Sequence, residues 1–319
     1  MPKFIIQHTT RYVYEEAVRD SANQIMLYPV IDDFQEVIQQ VITITGHPTV
    51  NVHEDYYGNK VGTFTFAQPH NEMIIYSQLS IETRERKLPA EDVPFELQWN
   101  ELKNLKYDLT YIDFFHVARF AAMSEVEKLV HELHRAEGTP LQTAKDFTKY
   151  VFDNFTYQKG ITTVETKLDE IWKLKSGVCQ DFAHMLLAML RLSGIPARYV
   201  SGYICSNKAG MRGEGATHAW VEAYLPYYGW LGLDPTNNCV VTSGHVKLAV
   251  GKDFSDCSPV KGTYRGTSNH TLEVSVTVAS EDGQMPVEDI KAVPEIKPVT
   301  QAVVSRNSFR RHQEMQMQQ

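Results

Sequence analysis

No apolar stretch in this sequence approaches the roughly 18 residues a membrane-spanning helix needs. The opening MPKFIIQHTT has neither a long apolar core nor a small-residue cleavage site. The expectation is a cytoplasmic protein with no membrane partner. Positive charge is also short: the formal net charge is -8, which argues against a nucleic-acid partner. Cysteine is scarce, with four residues at 179, 205, 239 and 257, no CxxC pair and no spacing to histidines of the kind zinc sites use. Neither a metal nor a cofactor is expected. Each thiol reads first as a small buried hydrophobe, and any functional assignment has to outweigh that reading. No repeat of 20–50 residues is visible.

What is present is globular. Hydrophobic residues make up 43% and charged residues 22% of 319, enough for two domains with their own cores. Residues 4–14, 37–45, 61–66 and 73–81 alternate with period two between turn signals, which predicts an antiparallel β-sandwich over 1–90. A charged, proline-bearing stretch at 83–94 separates it from a helical pattern running to about residue 155, where Ser124 and Glu127 fit a capping box. A further alternating strand at 271–278 places Leu272, Val274, Val276 and Val278 on one face. The fold class is α+β, with helices and an antiparallel sheet over 91–280. The remainder, 281–319, has too little apolar density to offset ordering and reads as a flexible tail.

The chemistry-bearing residues lie in 157–236. Cys179, Phe182, Ala183, Leu186 and Leu190 are spaced along one helical face, with Gly194 and Pro196 as stop signals, so Cys179 opens a helix. Unpaired N–H groups and the positive dipole end there favour thiolate, and the Cys179 N–H is a candidate oxyanion donor. Gly177 lets the backbone approach closely. Residues 217–225 alternate as a strand with His218, Trp220, Glu222 and Tyr224 on one face. A hairpin brings back 230–236. If its loop is odd in length, Tyr224 pairs with Trp230, and Asp234 shares the face of His218 as its diagonal neighbour; an even loop puts it on the other face. Thiolate, imidazole and carboxylate in that order of contact suit nucleophilic acyl chemistry.

Asp181 reads as a helix-start residue, and His184, off the apolar face, as solvated or supporting the site. Gln180, Tyr157 and Trp220 are candidates for pocket or oxyanion support, each with simple packing as the alternative.

At these residues the sequence resembles the transglutaminase-like superfamily, in its bacterial branch with a β-rich N-terminal domain. The matching motifs are GVCQDFAHMLLAMLRLSGIPARYVSGY at 177–203, HAWVEAYL at 218–225 and GWLGLDPTN at 229–237, with weaker likeness at 55–59, 155–157 and 251–266. The resemblance implies a papain-like core with a Cys179–His218–Asp234 triad. It further implies thiol acyl chemistry on a peptide, protein or peptide-like amide. Gln180 stands where animal cross-linkers of the superfamily have tryptophan, which favours hydrolysis through a thioester. Transfer of a glutamine acyl group to an amine, and a non-catalytic binding protein on the same fold, are the alternatives. Lys173 stands where papain-like proteases place a glutamine, which leaves the second oxyanion donor unassigned.

Overall fold

The structure is a computed structural model that describes residues 1–205, 211–213, 216–266 and 269–280; the tail expected at 281–319 lies outside the described residues. Five strands come first: β1 (Lys3–Ile25), β2 (Gln35–Ile44), β3 (Asn51–Glu54), β4 (Lys60–Phe66) and β5 (His70–Thr83). Helices α1 (Phe95–Leu105), α2 (Ile112–Phe115), α3 (Met123–Leu133) and α4 (Pro140–Asn154) follow, then β6 (Thr156–Tyr157), α5 (Leu168–Leu174), β7 (Ser176–Gly177) and α6 (Cys179–Leu192). The chain continues through β8 (Ala197–Ile204), β9 (His218–Leu225), β10 (Gly229–Asp234), β11 (Cys239–Val240) and β12 (His245–Gly251). It closes with the one-turn helix α7 (Phe254–Cys257), β13 (Val260–Arg265) and β14 (His270–Ser280).

The N-terminal unit is built around β1. Its first half alternates half-buried and buried, turning Phe4, Ile6, His8, Thr10, Tyr12 and Tyr14 inward, as a strand with one covered face should. A break in register after Val13 bends it. The first half therefore pairs with β5 and β14 and the second with β4 and β13, giving one antiparallel seven-stranded sheet that curls about a shared strand. In place of the sandwich expected within 1–90 stands this one curled antiparallel sheet, and it takes two strands from 260–280. Nothing local announces this, because the partners Tyr14 and His270 are 256 residues apart.

The second unit packs helices on the five-stranded antiparallel sheet β11-β10-β9-β8-β12. Its centre is α6. Phe182, Ala183, Met185, Leu186, Met189 and Leu190 are all at 0% exposure, so the expected apolar face widens until the helix is covered almost all round. The capping box expected at Ser124 does not form. The N-cap of α3 is Ala122, whose N–H, with that of Ala121, donates to Asp169 of α5 at 2.8 and 3.0 Å. A carboxylate from another helix thus holds the chain entering α3, at N–H groups ahead of those a Ser124 cap would have met. The box that does form is at α4, where Gln142 N–H donates to Thr139 Oγ1 and Pro140 occupies the first turn.

Replacing Leu186 by alanine removes a fully enclosed side chain and is expected to cost about 2–5 kcal/mol in urea unfolding. Asp169→Ala should lower the unfolding midpoint while Ser124→Ala leaves it in place; the reverse order would restore the local cap.

Candidate active site

Cys179 is the first residue of α6, and its position is set by the segment before it. The parallel pair β6–β7 aligns Thr156 with Ser176 and Tyr157 with Gly177, and Gln158 N–H donates to Gly177 O at 2.8 Å. Asp181 then fixes the turn: its Oδ2 accepts the Val178 N–H at 2.8 Å and the Thr162 hydroxyl at 2.6 Å. Asp181 is 1% exposed. Burial raises its pKa, and these hydrogen bonds oppose the rise. A Cβ on Gly177 would sit 2.3 Å from Asp181 Oδ2, so only glycine admits this carboxylate. Asp181 is thus a helix-start residue, as its place in the first turn suggested.

His218 opens β9, and the β9–β10 hairpin decides where its partner falls. Leu225 pairs with Gly229 across three intervening residues and Tyr224 pairs with Trp230, the odd-loop register. Asp234 accordingly meets His218 on the shared face, with Nε2 donating to Oδ2 at 2.9 Å. Both are buried, His218 at 2% exposure and Asp234 at 0%. Burial opposes charge on the imidazole, but Asp234 and the nearby Cys179 outweigh it and raise His218 to about 10. For Asp234 burial works upward, and its contacts with His218 and His245 pull it well below the ordinary carboxylate range.

The other ring nitrogen, Nδ1, is buried and makes no geometrically formed hydrogen bond among the described residues. Cys179 lies close enough to favour the charged ring both by its charge and as a hydrogen-bonding neighbour. Gly213, at φ +98°, packs its backbone against that ring edge, since a Cβ there would lie 2.4 Å from Nδ1. Cys179 and His218 line one cavity, together with Tyr157 and Gln180. Burial and Cys179 raise the Tyr157 phenol above its ordinary range, so it keeps its proton. Trp220 is placed differently. It is 1% exposed, lies nearly parallel to the His218 ring at 6.2 Å between centroids, and packs with Val200 and Val250 outside the cavity lining. His184 is half-buried: its Nε2 accepts the Phe254 N–H at 3.3 Å, and burial lowers its pKa to about 4, so the ring is neutral near pH 7.

Several residues escaped the sequence reading. Asp234 Oδ1 accepts the N–H groups of Thr236 at 2.9 Å and Asn237 at 3.3 Å, and Oδ2 accepts Asn237 Nδ2 at 2.8 Å. The Asp-Pro-Thr-Asn run carried that turn signal. His245, from β12, gave no local sign. Its Nε2 lies 3.4 Å from Asp234 Oδ2. Potential ligand atoms of Asp234, Cys239 and His245 all fall within 4.8 Å of one another, a spacing that also suits a metal. However, Thr242 N–H donates to His245 Nδ1 at 3.4 Å. That leaves the ring proton on Nε2, which makes His245 a donor to the carboxylate and occupies the nitrogen a metal would need.

The His218 shift sets a pH dependence. Its stabilisation is complete below the unfolded value of about 6.5 and is lost as pH rises through about 10. Urea unfolding of the wild type should therefore weaken steadily from pH 6.5 to 10, and Asp234→Asn should flatten that slope. Equal slopes would mean the imidazole is not held charged.

Residues 127–235 match the transglutaminase-like superfamily, and residues 4–82 the bacterial transglutaminase-like N-terminal region. An uncharacterized protein of Mycobacterium leprae, ML0607, is 31% identical over 278 residues, covering 86% of this chain and 97% of its own. The protein-glutamine gamma-glutamyltransferase of Pseudomonas aeruginosa is 34% identical over 116 residues, 34% of this chain and 17% of that protein. Among solved structures, the "Putative Cysteine Protease" of Cytophaga hutchinsonii superposes with a TM-score of 0.71 at 19% identity, covering 96% of both chains. The chain belongs to the transglutaminase-like superfamily, with the bacterial transglutaminase-like N-terminal region ahead of its core.

Proposed function

We propose that the protein is a cysteine-dependent amide-bond hydrolase that works through a thioester on Cys179. The observation that carries this is the buried His218–Asp234 pair, which holds a charged imidazole beside Cys179, both opening on one cavity.

The Cys179 sulfur, as thiolate, attacks the amide carbonyl carbon, and the oxygen takes the negative charge. The Cys179 N–H at the start of α6 faces no intrahelical acceptor and is available to that oxygen. As the C–N bond breaks, His218 gives its Nδ1 proton to the departing amine, leaving a thioester and a neutral imidazole. His218 then takes a proton from water, the resulting hydroxide adds to the thioester, and Cys179 leaves as thiolate beside a recharged ring. Asp234 stays ionised throughout and keeps the ring oriented. Transfer to an amine is the second reading, and the activity of the Pseudomonas relative favours it. Only deacylation differs, with a primary amine replacing water.

Cys179→Ala should lower kcat for amide cleavage by about 10^4–10^6. Cys179 should be alkylated by iodoacetamide at pH 6 much faster than a free thiol, an advantage that His218→Ala removes; equal rates in both proteins would leave a binding protein on a catalytic fold. A glutamine donor offered with a labelled primary amine separates the two reactions, since Cys179-dependent incorporation of label would replace hydrolysis by transfer.

A further inference from the structure

The cavity onto which Cys179 and His218 open takes part of its lining from the N-terminal sheet. Thr10 and Tyr12 of β1 line it, with Leu272 and Val274 of β14. The antiparallel register sets Tyr12 beside Leu272 and Thr10 beside Val274, so the four side chains form one patch on the inward face. His8, next along that face of β1, anchors the patch to the other unit. Its Nδ1 is hydrogen-bonded to the Tyr203 hydroxyl of β8 at 2.8 Å and its Nε2 to Thr10 Oγ1 at 3.0 Å. Burial lowers the His8 pKa to about 4, so the ring is a neutral structural link. The wall is therefore held against the sheet that carries His218.

The strand β14 is unevenly covered. Val276 is buried at 6% exposure, whereas Leu272 and Val274 on the same face stay half-buried. The surface they leave open is aliphatic and lines the same cavity as Cys179. Apolar surface beside a reaction centre gains free energy when a substrate covers it. Apart from histidines, the charged lining residue among those described is Lys159, which is exposed.

We propose that this β1–β14 patch is the substrate-recognition wall of the site, with Leu272 and Val274 seating an aliphatic side chain adjacent to the amide that Cys179 attacks. The inference rests on the reading of Cys179 as the nucleophile, and it gives the N-terminal sheet a direct part in specificity.

The test uses the full chain and reads the rate of Cys179 alkylation by iodoacetamide with and without a capped peptide, which requires no turnover. One peptide carries leucine on both sides of its central amide, and the other carries glutamate there. The leucine peptide is expected to slow alkylation by about tenfold or more, the range a well-filled aliphatic pocket provides, and the glutamate peptide to leave it unchanged. Leu272→Lys should lose protection by leucine and gain protection by glutamate. The double substitution Leu272→Ala and Val274→Ala, which adds no buried charge, should lose the first without gaining the second. Val41→Lys, on an exposed position of β2, should keep the wild-type ratios. Equal protection by both peptides, protection by neither, or leucine protection that survives the double substitution would overturn the proposal. A leucine peptide that protects but is never cleaved leaves the wall standing and removes the hydrolase reading. Cleavage of both peptides with equal kcat/KM does the reverse.

Discussion

Burying an ionised carboxylate costs several kcal/mol unless donors and an opposite charge replace the water it loses. Asp234, at 0% exposure, meets that condition. Two backbone N–H groups close a turn on Oδ1, while His218, Asn237 and His245 converge on Oδ2. These donors come from β9, from β12 and from the turn after β10, so satisfying one side chain ties much of the five-stranded sheet together. The same carboxylate keeps the His218 ring charged and turned so that Nδ1 stays on the Cys179 side. Stability and chemistry depend here on one group.

The start of α6 shows a second compromise. Asp181 places negative charge two residues from Cys179, which works against a thiolate, yet its Oδ2 accepts the Val178 N–H and holds the turn that presents the cysteine. Thr162 shares that oxygen, and Gly177 makes room for it. The β6–β7 pair sets Tyr157 beside Gly177, so phenol and thiol reach the same cavity through backbone pairing.

The N-terminal sheet is more than an appendage. Because β13 and β14 return to β1, the two ends of the described chain close on each other, and the half of β1 that meets the Cys179 cavity is paired on both sides. Such pairing across more than 250 residues is entropically slow to form. It also leaves β1 without a free edge in the region facing the site, so the strand can support recognition side chains without inviting edge-to-edge association.

The sequence by itself determined the features whose physics is local. A helical spacing of apolar residues put Cys179 at a helix start, and the period of two along β9 and β10 reduced the His218–Asp234 encounter to the parity of a hairpin loop. Tertiary structure decided that parity and whatever depends on which faces find each other. Ser124 held a locally valid capping pattern, but the helix begins one residue earlier, at Met123, and Asp169 of α5 takes the N–H groups of Ala121 and Ala122 ahead of it. His245 joined Asp234 from β12 with no spacing to announce it, and the alternating face of β14 was legible without its partner. An amphipathic strand encodes which side must be covered, and many surfaces satisfy that demand. Only the assembled chain selects β1 as the neighbour and thereby brings Leu272 and Val274 to the cavity that Cys179 lines.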